Sequence, residues 1–308
     1  MSTTLAGARA RYRVGRILGR GGFANAHLAR TVGGPDHGQL VCVKVPHSAA
    51  RPESAMEEAR ILAAIAHPGV VRLIDQAWVE PGRLALVLEL VRGGTLAQLR
   101  PGPRQPEALP AAAVAWIGLQ VCAALGALPR GVVHRDLTPD NVLVSFQGEL
   151  KLADFGIARA PERVTWTAPG KIKGKLAYSS PEQLLGRPLD VRSDLFSLGI
   201  SLWELCTGEH PFRAATPTAT ARQIIEERAQ GRANDGLLAE VLERMLAKQP
   251  DERPADAMTA AGALASAASE VVAVREIRRR FARLGPGVVC AGTSARVPHS
   301  AAARTLFG

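Results

Sequence analysis

The sequence predicts an α+β protein, with strands in the first part and helices in the second. Three observations carry that reading. Strand-like segments recur over residues 12–88 with one helical stretch among them, and apolar helical segments such as Ala111 to Leu128 dominate afterwards. The 308 residues, 47% of them hydrophobic, supply enough apolar mass for one large domain or two lobes of ordinary size.

Met1 to Arg11 are small and polar without a period, and are expected to form a loose lead-in. Tyr12 to Leu18 alternates like a strand and runs into Gly19, Arg20, Gly21 and Gly22, and the strand resumes at Ala26-His27-Leu28-Ala29. A hairpin with that tip brings backbone N–H groups to phosphate oxygens at a distance a Cβ would obstruct. A structural turn is the plainer reading of such glycines taken alone.

After a turn at Gly33-Gly34-Pro35-Asp36, Leu40 to Val45 reads as a buried strand with Lys44 inside it, and a lysine there needs an anion. The helix Glu53 to Ala66 opens behind Arg51-Pro52. It puts Glu58 on the flank of Ala59, Leu62, Ile65 and Ala66, while Glu57 faces solvent. Val70 to Asp75 and Leu84 to Leu88 follow as strands, with Trp78 and Pro81-Gly82 in the turn between them. Glu89 to Gly94 breaks the pattern, Thr95 can cap the next helix, and Pro101 to Pro110 is a surface loop. From Ala111 to Leu128 the apolar density predicts a buried helix.

That helix leads to His134-Arg135-Asp136-Leu137-Thr138-Pro139-Asp140-Asn141, which packs a carboxylate, a guanidinium and a carboxamide into eight residues. Such a loop suits an Asp that orients a hydroxyl proton and an Asn that offers oxygen to a divalent cation. Alone, it could equally be a polar turn. Its companions decide: the glycines at 19, 21 and 22, Lys44 in Val41-Cys42-Val43-Lys44, and Asp154-Phe155-Gly156 eighteen residues after Asp136.

This order of motifs, from about Tyr12 to Ala268, resembles the protein kinase family in its bacterial Ser/Thr branch. The resemblance implies a two-lobed kinase fold, with an antiparallel sheet and one helix in the N-lobe and a mainly helical C-lobe. It divides the chain into a loose segment 1–11, a kinase domain 12–268 (N-lobe 12–88, hinge 89–94, C-lobe 95–268) and a basic helix with a flexible tail, 269–308. ATP and Mg²⁺ are the implied cofactors, proteins with Ser or Thr acceptors the implied substrates, and autophosphorylation is expected.

Residue by residue, the resemblance implies that Leu18, Gly19, Arg20, Gly21, Gly22 and Ala26 cover the nucleotide, with Cys42 against the adenine and Leu143 beneath it. Lys44 would hold the phosphates, supported by Glu58. The backbone of Glu89 and Val91 would meet the adenine edge. Asp136 would orient the acceptor hydroxyl, and Asn141 and Asp154 would hold magnesium. Arg135 would receive a phosphate on the loop after Asp154, for which Thr165 and Thr167 are candidates. Glu182 with Arg253, and Asp194 beneath the catalytic loop, match architectural positions of the family.

The chain departs from the family pattern in places. Ala24 stands where a third glycine is usual and Ala26 where valine is usual; both are small enough for the loop to close. Where Ser/Thr kinases carry a lysine two residues after the catalytic Asp and a threonine before the Ala-Pro-Glu-like segment, this chain has Thr138 and Lys175. The two residue types are exchanged. A compensating swap, with Lys175 reaching Asp136 and the transferred phosphate, is preferred over two independent losses.

The formal charge of +10 and pI near 10.2 favour acidic or phosphate-rich partners. The arginines are scattered, however, and 4% aromatics leave little for base stacking, so nucleic-acid binding is not expected. Cys42, Cys122, Cys206 and Cys290 form no C-x-x-C pair, which argues against zinc or a disulfide framework. Without a signal-peptide profile or a membrane-spanning run, a cytoplasmic protein is expected.

Near the C-terminus, Val271, Val274, Ile277, Phe281 and Leu284 make an apolar stripe opposite Arg275, Arg278, Arg279, Arg280 and Arg283. Such a helix can lie on anionic lipid or dock on an acidic partner. Packing on its own domain with a solvated arginine face is preferred. Beside the enzyme stand two other readings: a pseudokinase scaffold, suggested by Ala24, Thr138 and Lys175, and a basic adaptor for anionic surfaces. Retention of Lys44, Asp136, Asn141 and Asp154 favours the enzyme.

Overall fold

A computed structural model describes residues 3–47, 52–80, 82–103, 105–155, 176–229 and 236–284. Six antiparallel strands close a barrel in the order β1-β2-β3-β4-β6-β5. They are β1 (Thr4–Gly7), β2 (Arg11–Arg20), β3 (Ala24–Val32), β4 (Leu40–Pro46), β5 (Leu73–Glu80) and β6 (Arg83–Glu89). One helix, α1 (Pro52–Ala63), lies against β5 and β6. Leu5, Tyr12, Ala29, Val41, Val43, Ala77, Ala85 and Val87 fill the barrel. The alternate residues Leu28, Cys42, Leu86 and Leu88 face a larger core shared with the helices, as the period of two in a strand requires.

Two expectations need correction here. Within the segment expected to be a loose lead-in, Thr4 to Gly7 form a strand instead: Leu5 pairs with Tyr12 in β2, and Ala6 pairs with Trp78 in β5, so β1 closes both open edges of the sheet. Asp75 completes the seam by accepting from the N–H groups of Ala8 (3.2 Å), Arg9 (2.9 Å) and Gln76 (2.8 Å) and from Tyr12 Oη (2.8 Å). Trp78 is not in a turn either. It sits within β5 opposite Leu84, because the strand runs as far as Glu80.

The second lobe is mainly helical. A small sheet, β7 (Gly93–Thr95), β8 (Val142–Ser145) and β9 (Leu150–Leu152), lies where the lobes join, and Val70 bridges to Leu152 across the junction. Helix α2 (Ala111–Gly126) and helix α4 (Val191–Thr207) are buried along most of their length. Around them lie α3 (Pro181–Leu184), α5 (Pro217–Glu226), α6 (Leu237–Met245) and α7 (Ala257–Ala265).

Helix α8 (Glu270–Leu284) packs on α2. Its buried face keeps most of the apolar stripe read from the sequence, with Ile277 and Phe281 buried and Leu284 packed against the core, but it departs at two positions. Val271 is 78% exposed whereas Arg280 is only 3% exposed, since its guanidinium donates to the backbone carbonyls of Leu99 and Glu107. No single helix among the described residues is long and apolar enough to cross a membrane.

Burial would raise the Asp75 carboxyl, but the hydrogen bonds from Arg9, Tyr12, Gln76 and Ala8 outweigh it and hold the group below its ordinary 3.8. A depressed pKa in the fold means a stabilising contribution that is present above the unfolded value and lost as pH falls through the folded one. Asp75→Asn is therefore expected to cost about 1.5–3 kcal/mol near neutrality in urea unfolding, the range for hydrogen bonds to a charged group. The gap to the native chain should close as the buffer is taken below pH 3.8.

Candidate active site

The cleft between the lobes collects the motifs. Leu18, Ala26, Cys42, Val70, Leu88, Val91 and Leu143 all belong to one buried apolar cluster that continues from the barrel into the helical lobe. Gly19 pairs with Ala26 and Arg20 with Asn25, so the glycine hairpin is a continuation of β2 and β3. Its tip is closed by the Gly21 N–H donating to Ala24 O at 2.8 Å. His47 ties it down from the end of β4, its N–H donating to Phe23 O (2.8 Å) and its Nε2 lying 3.0 Å from Gly21 O. A Cβ added at Gly22 would meet nothing within 4 Å, which leaves the backbone there open to a ligand.

Below the hairpin, Lys44 Nζ lies 2.7 Å from both carboxylate oxygens of Glu58 and 2.5 Å from Asp154 Oδ1. Burial alone would lower the lysine, but the charges of Asp154 and Glu58 reverse this and raise it above its ordinary value, so it stays protonated. Glu58 is raised by the same burial, against the pull of Lys44. The helical reading that preferred Glu58 is matched in the packing, since Glu58 is buried beside Ala59 and Leu62 while Glu57 pairs with Arg60 at the surface.

The polar loop is held by a carboxylate from α4. Asp194 accepts from the N–H groups of His134 (2.7 Å) and Arg135 (2.9 Å), and Arg135 takes the left-handed conformation at φ 65°. Burial pushes the Asp194 carboxyl up to about 7 despite those bonds. His134 is fully buried, with Nε2 3.0 Å from Ala153 O and its ring 4.8 Å from that of Phe155. Asn141 Nδ2 donates to Asp136 O (2.7 Å) and Oδ2 (3.1 Å), and Thr138 is buried in the same turn. Asn141 O in turn accepts from Ala153 N–H at 2.9 Å, which links the loop to Asp154.

Among the described residues no three His, Cys, Asp or Glu side chains converge to hold a metal by themselves. Asp154 and Asn141 would offer a cation one carboxylate and one carboxamide oxygen. That donor set fits magnesium arriving with a nucleotide. Thr165, Thr167 and Lys175 lie outside the described residues.

A model of the protein kinase domain matches residues 12–266. This chain is a member of the protein kinase family. It therefore has the family's two-lobed fold, a sheet-rich N-lobe over a helical C-lobe, and kinases of this family generally use ATP and Mg²⁺. The chain is 32% identical over 268 residues to the tyrosine-protein kinase MasK of Myxococcus xanthus, covering 82% of this chain and 41% of that protein. It is 37% identical over 286 residues to the serine/threonine-protein kinase pkn2 of the same species, covering 85% and 33%. With serine/threonine-protein kinase PknB of Mycobacterium leprae, identity is 36% over 261 residues, covering 79% and 40%. The matched region thus spans under half the length of these relatives.

Two side chains at this candidate site make contacts that had no local signal. The Glu89 carboxylate accepts from Arg72 N–H (2.9 Å) and pairs with Lys151 at 2.9 Å, pinning the end of β6 to β9. Gln183 Nε2 donates to Arg135 O at 2.8 Å from the start of α3. Neither lies in a periodic pattern, and each joins segments far apart in the chain.

Beneath the loop, Arg253 and Glu182 form a buried pair at 2.7 Å, and Ser193 Oγ donates to the same carboxylate at 2.6 Å. Burial would raise Glu182, but these donors hold it below its ordinary value. Removing one partner strands a buried charge, so Arg253→Met is expected to cost about 3–5 kcal/mol. Chemical denaturation checks it; a loss under about 1 kcal/mol would mean that the pair is not buried as described.

Proposed function

We propose that this protein transfers the γ-phosphate of ATP to serine or threonine hydroxyls of proteins, and phosphorylates itself. The observation that carries the reading is the Lys44–Glu58–Asp154 cluster. It places one protonated lysine between two carboxylates, directly under a glycine hairpin and beside the Asp136–Asn141 loop. Phosphoryl transfer asks a protein chiefly for position and charge compensation, and these are the groups it needs.

In this reading the hairpin backbone at Gly19 to Gly22 covers the phosphates and Lys44 moves from Asp154 to a phosphate oxygen while Glu58 keeps it oriented. Leu18, Ala26, Cys42 and Leu143 enclose the adenine, and the backbone of Glu89 and Val91 meets its polar edge. Asn141 and Asp154 would hold magnesium, which when bound neutralises charge on the phosphates. Asp136, held by Asn141 Nδ2, orients the acceptor hydroxyl and takes its proton as the bond from the γ-phosphorus to the ADP oxygen breaks.

Thr138 and Lys175 act as an exchanged pair, with Lys175 reaching toward Asp136 and the transferred phosphate. Arg135 would pair with a phosphate on Thr165 or Thr167.

The first test is magnesium-dependent incorporation of label from ATP into the protein and a generic basic substrate, followed by phosphoamino-acid analysis. Asp136→Ala should lower kcat about 10²- to 10⁴-fold, the range for loss of a positioned base. Label in neither protein despite nucleotide binding would favour a scaffold, and label on tyrosine alone would reassign the acceptor. Lys175→Ala should also slow transfer if the exchange is compensating; an unchanged kcat would remove Lys175 from the mechanism. Peptide mapping of active protein should place phosphate on Thr165 or Thr167, and its absence from both would remove the switch.

A further inference from the structure

Helix α8 begins beyond residue 266, where the match to the kinase family ends, yet it reaches the segment that joins the lobes. Its Phe281 ring lies against Gly94 in β7, three residues after Val91. A Cβ built on Gly94 would come within 2.5 Å of that ring, so the helix is seated on bare backbone. The same ring meets Phe146 edge-on at 5.4 Å, and Phe146 N–H donates to Arg92 O at 2.9 Å. Two turns back, Val274 fills the space over Gly148 in the turn between β8 and β9, where a Cβ would stand 2.9 Å away. Both glycines thus form a seat shaped for this helix.

Arg280 completes the attachment. It is 3% exposed and donates to two backbone carbonyls, Leu99 O at 2.6 Å and Glu107 O at 2.5 Å. A buried guanidinium spanning two carbonyls from one short stretch fixes that stretch in place, because its planar fork has little freedom to follow a moving partner. Leu99 lies at the end of the turn that follows β7. β7 pairs through Thr95 with Leu143, the residue beneath the adenine site.

We propose that α8 is a positioning element for nucleotide binding: Phe281 and Arg280 hold the connector from Arg92 to Leu99 in the geometry that accepts the adenine. The proposal rests on the reading of the cleft as a nucleotide site. Without α8 the connector samples other arrangements, and the apparent affinity falls by the fraction of time it spends in the competent one. The contacts of α8 fall on α2 and the connector, so the effect is expected on KM more than on kcat.

The test compares Phe281→Ala and Arg280→Ala with Leu264→Ala in the full chain. Leu264 is buried in α7 against Gly118 of α2, so its truncation destabilises the same lobe without touching the connector. If the competent fraction drops to about one fifth, KM for ATP and Kd for a fluorescent ATP analogue both rise about fivefold in the α8 variants, with kcat within about twofold. Leu264→Ala and the exposed-face variant Arg278→Ala should leave both constants unchanged.

Hydrogen exchange supplies a readout independent of activity. The amides of Gly93 to Thr95 should exchange faster in Phe281→Ala than in Leu264→Ala. Nucleotide constants and connector exchange matching those of Leu264→Ala would overturn the proposal. Loss of nucleotide binding by the native chain would instead sink the reading of the cleft, while faster exchange confined to the connector would still uphold the hold of α8 upon it.

Discussion

The structure depends first on the charge of Lys44. Its ammonium lies inside a strand whose neighbours Val41, Cys42 and Val43 are fully buried, where an unpaired cation would be too costly to keep. Two carboxylates meet it, Glu58 from α1 and Asp154 from the segment after β9, and neither lies on the barrel. The requirement to compensate one charge therefore docks a helix and the edge of the second lobe on the same strand. It also leaves Asp154 as the group a competing anion would displace, since Glu58 already contacts the lysine with both oxygens.

A second polar system supports the irregular backbone that the first one needs. The loop around Asp136 belongs to no helix or strand ladder over His134 and Arg135, so its N–H groups require partners from elsewhere. Asp194 supplies them from the first turn of α4, and Gln183 satisfies the Arg135 carbonyl. Nearby, Arg253 fills the space beside the Phe196 ring at 4.8 Å while pairing with Glu182. Arg253 and Glu182 are tolerated in this core because hydrogen bonds meet both, the condition under which a buried ion pair can persist.

Much of the site was legible in the primary structure because its signals are local. Lys44 stands out in an apolar run; Glu58 separates from Glu57 by one step of helical period, and the structure buries one and exposes the other. Contacts that join distant segments left no such trace. Thr4 to Gly7 lacks the length and alternation of a strand, and becomes one because β2 and β5 present free edges on either side of it. On α8, hydropathy ranks Val271 above Arg280, yet the Leu99 and Glu107 carbonyls accept from the arginine and hold it inward.

The primary structure alone carries the inventory of candidate site residues and its order: hairpin, lysine, acid, polar loop and second carboxylate, each marked by a residue type that its surroundings would otherwise exclude. Tertiary structure alone decided the closure of the barrel through β1 and Asp75, the tie of Glu89 to Lys151 and the seat of α8 on Gly94. The division follows from range. Periodicity reports how a segment divides its own faces between apolar and polar surroundings, but pairing of edges and satisfaction of buried carbonyls depend on which remote segment arrives, and that is settled only when the chain is folded.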